Sequence, residues 1–131
     1  MILDSSAILA VLLQEPKKDE FVAAIEGAEI CRLSAATLVE VSIVIESQTG
    51  EAGVNRLQEF IRRADVVIEP FTVDQAHLAV RAWSEYGKGR HKAALNFGDC
   101  FPYALAKSLD EPLLFKGDDF SKTDIEPALR P

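Results

Sequence analysis

Apolar positions in this chain fall into two alternating patterns: short continuous blocks and longer stretches with helical spacing. Residues 1–3 form a block too short for a helix and read as a buried strand. Ser5 or Ser6 can cap a helix through Ala7, Ile8, Val11 and Leu12. Pro16 fits the start of a second helix that carries Phe21, Val22 and Ile25 and stops at Gly27. Residues 30–33 read as a second strand. Ser34 then caps a long helix to Gln48 with Leu38, Val41, Val44 and Ile45 on one side and Gly50 as its stop. Residues 51–63 form another helix, with Leu57, Phe60 and Ile61 as the apolar stripe, and 66–68 a third strand. Thr72 and Gln75 suit a capping box ahead of Ala76, Ala79, Val80 and Trp83 at helical spacing. A polar, Gly-containing segment over 86–92 precedes a helix from Asp99 to Ser108. Pro102 is tolerable there only in the first turn, which fixes the helix start. Residues 112–115 make a fourth strand, and Ile125 lies in a last extended piece. Short single strands separated by helices predict an α/β domain with a mostly parallel central sheet.

At 131 residues, with 48% hydrophobic and 27% charged positions, the chain reads as one globular domain over 1–131, with a real core and no repeat or linker. Residues 1–3 and 7–13 are apolar, but no basic stretch precedes them and Asp4 interrupts them, so no export signal is expected. No run approaches the ~20 apolar residues of a membrane span. Cys31 and Cys100 have no metal-ligand spacing and suit a reducing cytoplasm as small buried apolar residues. Twenty-one acids against fourteen bases give a net charge of −7. That field repels phosphates, so a nucleic-acid role needs a local basic patch or bound cations.

The acids matter because of where they fall. In a parallel sheet, ligands sit beyond the carboxyl ends of the strands. Asp4 follows the first strand, Asp99 starts the later helix, and Asp118 and Asp119 follow the fourth strand. Glu40 lies in the second turn of the helix after the second strand, flanked by apolar residues, where a half-buried carboxylate needs a partner. Singly, such acids serve as caps and turn formers. Together they repel: two carboxylates ~5 Å apart oppose one another by about 3 kcal/mol at an effective dielectric of 20. A crevice of this kind calls for protons or a cation. Oxygen ligands without a His or Cys set favour Mg²⁺ or Mn²⁺ over Zn²⁺, and such an ion suits phosphoryl chemistry.

Four segments in this order resemble the PIN-domain ribonucleases, and specifically the VapC toxins of bacterial type II toxin–antitoxin systems. They are Met1-Ile2-Leu3-Asp4-Ser5-Ser6-Ala7, the helical Glu40, Leu95-Asn96-Phe97-Gly98-Asp99-Cys100, and Leu113-Leu114-Phe115-Lys116-Gly117-Asp118-Asp119-Phe120. The resemblance implies a three-layer α/β/α fold and Mg²⁺- or Mn²⁺-dependent cleavage of RNA to 5′-phosphate and 3′-hydroxyl ends. It implies a VapB-type antitoxin over the site and a toxin homodimer. It assigns Asp4, Glu40 and Asp99 as the acidic triad, with Asp4 and Asp99 on the metal, Ser6 as the hydroxyl near it and Asn96 as the polar residue before the third acid. The usual place of the fourth acid holds Gly117 here. Asp118 and Asp119 are both candidates, and Asp118, nearer the strand end, is preferred.

Lys88, Arg90 and Lys92, with His91 among them, form either a solvated loop or a phosphate-binding edge beside the acids. Gly87-Lys88-Gly89 lacks the spacing of a phosphate loop, and no nucleophile elbow is present. His91 with Cys100 lacks the orienting group of a cysteine hydrolase. His77 lies on the polar side of its helix and reads as structural. Trp83, Phe101 and Tyr103 read as core or partner-contact residues. Lys116 is a surface residue or a phosphate contact. It is also the feature that favours the competing reading, a Mg²⁺-binding phosphoacceptor receiver. That reading needs an acidic pair after the first strand and an acceptor Asp after the third. The chain offers a single Asp4 and the sequence Ile68-Glu69-Pro70.

Overall fold

The computed structural model describes residues 1–129. Four parallel strands form one sheet in the order β3-β2-β1-β4. They are β1 (Ile2–Leu3), β2 (Arg32–Ser34), β3 (Val67–Glu69) and β4 (Leu113–Leu114). Helices α1 (Ser5–Leu12) and α2 (Lys18–Gly27) link β1 to β2, and α3 (Ala35–Arg63) links β2 to β3. Helices α4 (Val73–Tyr86) and α5 (Cys100–Leu109) carry the chain across to β4. The chain thus leaves β1 toward β2 and β3, then returns to β4 on β1's other edge, which puts the reversal of strand order beside β1.

The two-residue period of a strand divides the core in two. Leu3, Leu33 and Leu114 face α1, α2 and α3, with Ile8, Phe21, Val41, Ile45 and Leu57 packed on them. Ile2 and Leu113 face the other way, onto Ala79, Ala82, Tyr103, Leu105 and Phe120. The result is the expected three-layer α/β/α architecture.

Local chemistry adjusted several expected boundaries. Asp4, not Ser5 or Ser6, caps α1, because its carboxylate accepts from the Ser6 amide. Strand β2 starts at Arg32 and runs into Ser34, whose hydroxyl accepts from the Ala36 amide as the α3 cap. The two helices expected on either side of Gly50 are continuous except for a kink there (φ 68°, ψ −156°), a left-handed turn that glycine makes without steric cost. Only half of the capping box forms: Thr72 accepts from the Gln75 amide, while the Gln75 side chain donates to the Pro70 carbonyl. Along α4 the buried positions are Gln75, Ala79 and Ala82, whereas Val80 and Trp83 face outward. The bulky half of that expected stripe is surface, because α4 packs against α5 through its small residues.

Candidate functional site

Asp4 is the first residue beyond β1, level with the end of β4, and its amide donates to the Leu114 carbonyl. It is only 4% exposed. Its Oδ2 accepts from the Ser6 amide (3.1 Å) and the Ser6 hydroxyl (2.5 Å), and that hydroxyl in turn accepts from the Lys116 amide (2.9 Å) just past β4. Ser6 therefore clamps one carboxylate oxygen to both strands. The other, Oδ1, is buried with no hydrogen-bond partner among the described residues. Burial pushes Asp4 up to about 6 despite the Ser6 bonds, and the charge of Glu40 pushes the same way.

Asp99 comes from the other half of the chain. Residues 96–99 form a turn held by reciprocal bonds: the Asn96 amide donates to Asp99 Oδ2 and the Asp99 amide to Asn96 Oδ1, both at 3.0 Å. Asp99 is the residue before α5, and Pro102 sits in the first turn as required. Its pKa is also raised to about 6, by burial first and then by the charges of Asp4, Asp119 and Glu40. Four acids from four stretches of chain thus bear on one place. Glu40 is half-buried in α3, since its apolar neighbours Val39 and Ile43 are exposed while Val41 and Ile45 enter the core.

The two candidates for the fourth acid are placed differently. Asp118 is 78% exposed by side chain and pairs with Lys122 at 3.7 Å. Asp119, exposed at the start of the 3₁₀ turn Phe120–Lys122, is the residue whose charge reaches Asp99. Gly117, at φ 94°, turns the chain between β4 and these two acids. Lys116 is tied to Glu15 at 2.5 Å rather than free for phosphate. Burial and the Asp99 charge push the Cys100 thiol up to about 11, which removes it as a nucleophile. Lys88, Arg90 and Lys92 are exposed, and among the described residues none pairs with an acid. Their loop is stapled at its base, where Lys88 donates to the Leu95 carbonyl and Leu95 to the Tyr86 carbonyl. It therefore opens next to Asn96.

Sequence reasoning missed the role of Phe97. It stands 73% exposed, edge-on to Phe101 at 5.0 Å, and joins Val39 and Ile43 of α3 to Val80 and Trp83 of α4 in one apolar surface. The signal available was an aromatic residue in an otherwise polar turn.

Among the described residues, no three His, Cys, Asp or Glu side chains converge tightly enough to enclose a metal ion. The donors present are the buried Asp4 carboxylate, with its unpartnered oxygen, and the half-buried Asp99 carboxylate, backed by Glu40 and Asp119. That set fits a Mg²⁺-like ion, which keeps several waters and takes one or two carboxylates from protein, and does not fit an all-protein cage.

A parallel α/β sheet whose reversal point carries clustered acids with no base among them defines an acidic-cleft domain of the kind built for phosphate chemistry. The chain belongs to the PIN domain family, whose pattern it matches over residues 1–126, and within it to the VapC ribonucleases. It is 47% identical over 125 residues to ribonuclease VapC30 of Mycobacterium tuberculosis, with 95% of each chain covered. The fold matches the crystal structure of VapC20 from the same organism, a sarcin-ricin loop cleaving toxin, at a TM-score of 0.79 and 16% identity over 99% of this chain and 98% of that one. It also matches VapBC2 of Rickettsia felis, solved with a DNA fragment from its promoter, at a TM-score of 0.75 and 12% identity over 96% and 94%.

Proposed function

We propose that this VapC-family endoribonuclease toxin, a single domain over 1–131 acting in the cytoplasm, cleaves RNA with Mg²⁺ or Mn²⁺ held at Asp4 and Asp99. The observation that carries this reading is the pair of acids held at about 6, Asp4 buried with an orphaned oxygen and Asp99 half-buried, where no base offsets their charge. Asp4 Oδ1 and the Asp99 carboxylate would hold the ion. When bound, such an ion neutralises a phosphodiester, lowers the pKa of water and steadies the leaving oxygen. Ser6 orients the Asp4 carboxylate through its amide and its hydroxyl, and Asn96 orients the Asp99 carboxylate through its backbone amide, while its side chain accepts from the Asp99 amide. Glu40 and Asp119 complete the negative lining and would add to the field that holds such an ion. Asp118 stands outside this group.

Lys88, Arg90 and Lys92 supply phosphate contacts at the mouth of the cleft, which answers the net charge of −7 with a local basic edge. Two protein partners accompany the reading. A VapB-type antitoxin is supported by the likeness of the fold to toxin–antitoxin complexes. A homodimer is supported by the apolar surface of Val39, Ile43, Val80, Trp83 and Phe97, larger than isolated exposed residues would leave. No helix among the described residues is long and apolar enough to cross a membrane. The receiver reading is not favoured, since Lys116 is engaged by Glu15 and β3 ends in Glu69, which pairs with Arg32.

The test is RNA cleavage by purified toxin in EDTA and in excess Mg²⁺ or Mn²⁺, with paired thermal melts of wild type and Asp4→Asn. Cleavage is expected only with metal. Saturating metal at 100 times its dissociation constant should stabilise the wild type by about 2.7 kcal/mol, and Asp4→Asn should lose most of that gain. Full cleavage in EDTA, or an undiminished metal shift in Asp4→Asn, would reject the reading.

A further inference from the structure

Asp4 and Asp99 are each tied in place by hydrogen bonds, but no described residue donates one to Glu40. The position of its carboxylate is set by room instead. That room is the bare Cα of Gly98. A methyl group at Gly98 would stand 2.7 Å from the Glu40 carboxylate carbon and 3.1 Å from Oε1, and would overlap Oε2 outright.

Two ordinary reasons for a glycine do not apply here. Gly98 lies outside the left-handed region that Gly50, Gly89 and Gly117 occupy, so its backbone suits any residue. The three atoms nearest a Cβ at this position all belong to the Glu40 side chain, the third of them at 3.1 Å, so the closest obstacle is that side chain and not the backbone of a neighbouring strand or helix. The turn that holds Gly98 is locked by the reciprocal Asn96–Asp99 bonds and by the Cys100 amide donating to the Phe97 carbonyl. Of the two parts in contact, the free side chain would yield and the turn would not.

We propose that Gly98 is a positioning residue: its missing side chain is the slot that sets where the Glu40 carboxylate stands beside Asp99. The proposal rests on the reading of Glu40 as part of a metal nuclease site. It predicts an unusual phenotype, a substitution that spares the fold and damages the chemistry. Gly98→Ala should fold at least as well as wild type, because alanine restricts the unfolded chain where the native backbone accepts it.

The experiment compares wild type, Gly98→Ala, Glu40→Ala and the double variant by thermal melts in EDTA and across a Mn²⁺ titration, with single-turnover RNA cleavage alongside. Gly98→Ala should melt at or above wild type without metal and cleave at least about tenfold more slowly. It should also need several times more Mn²⁺ for a half-maximal melting shift. In the Glu40→Ala background, adding Gly98→Ala should change both readouts by less than about twofold, since the group it displaces is gone. The proposal is overturned if Gly98→Ala cleaves within about twofold of wild type, melts clearly lower without metal, or costs as much without Glu40 as with it. A Glu40→Ala protein equal to wild type in both readouts would instead overturn the underlying role of Glu40, whatever Gly98→Ala does.

Discussion

The two ends of the sheet treat charge in opposite ways. Near the amino end, the Met1 ammonium and Arg32 both pair with Glu111, at 2.7 and 3.0 Å. Glu111 is held below the usual carboxylate range because its two cationic partners outweigh its desolvation. Beyond the carboxyl ends, burial lifts Asp4 and Asp99 with no cation to answer it, and the acids push one another further. Acids matched to bases stitch strands together. Acids buried beside one another cost stability and are poised for a ligand that is itself positive.

The sharpest way to break this contrast is to neutralise one acid at each end. Asp99→Asn should lower single-turnover cleavage by about a hundredfold or more, while its metal-free melting temperature stays equal or rises, because a repulsive charge has gone. Glu111→Gln should do the reverse, destabilising by roughly 1–2 kcal/mol through its part-buried ion pairs and leaving cleavage within about twofold. If both variants behave alike in both assays, the two ends are not different in kind.

The pH dependence offers a second, smaller effect. An acid whose folded pKa is raised to about 6 binds its proton more tightly folded than unfolded. As pH rises from the unfolded value near 3.8 through 6, the unfolded chain releases the proton first, and stability falls. Without metal, the toxin should therefore melt higher at pH 5 than at pH 7.5. The groups held low, Glu111 and Asp124, lose their contribution only as pH falls below their unfolded values of 4.5 and 3.8, beneath the pH 5 arm of this comparison. Mg²⁺ should erase or invert the trend, since it binds the ionised acids, and cleavage should decline below pH 6. A metal-free melting temperature that rises from pH 5 to 7.5 would contradict the unpaired character of the cluster.

The smallest expected effect concerns the rim. Replacing Lys88, Arg90 and Lys92 by Gln should leave melting within a degree or two, since among the described residues none is ion-paired. It should flatten the log–log salt dependence of RNA binding by about one unit for each phosphate no longer neutralised. An unchanged slope would make the segment a solvated loop and leave the acidic cleft without a basic edge.

Much of this molecule was legible as pattern. The order of strands and helices, the break at Gly50 and the helix start fixed by Pro102 all follow from local constraints on backbone angles and hydrogen bonds, which act within a few residues. Asp4, Glu40 and Asp99 were recognisable as candidates because a parallel sheet sends the ends of its strands to one face. The exposed half of the α4 stripe was not legible, since helical spacing shows that Val80 and Trp83 share a side with Ala79 and cannot show how close α5 comes. Asp118 and Asp119 stand as alternatives in the sequence because their exposure and neighbours depend on the path the chain takes after Gly117. The meeting of Gly98 with Glu40 lies furthest from the sequence. It joins two distant stretches of chain through the absence of a side chain, and empty space between distant segments exists only once the layers have packed.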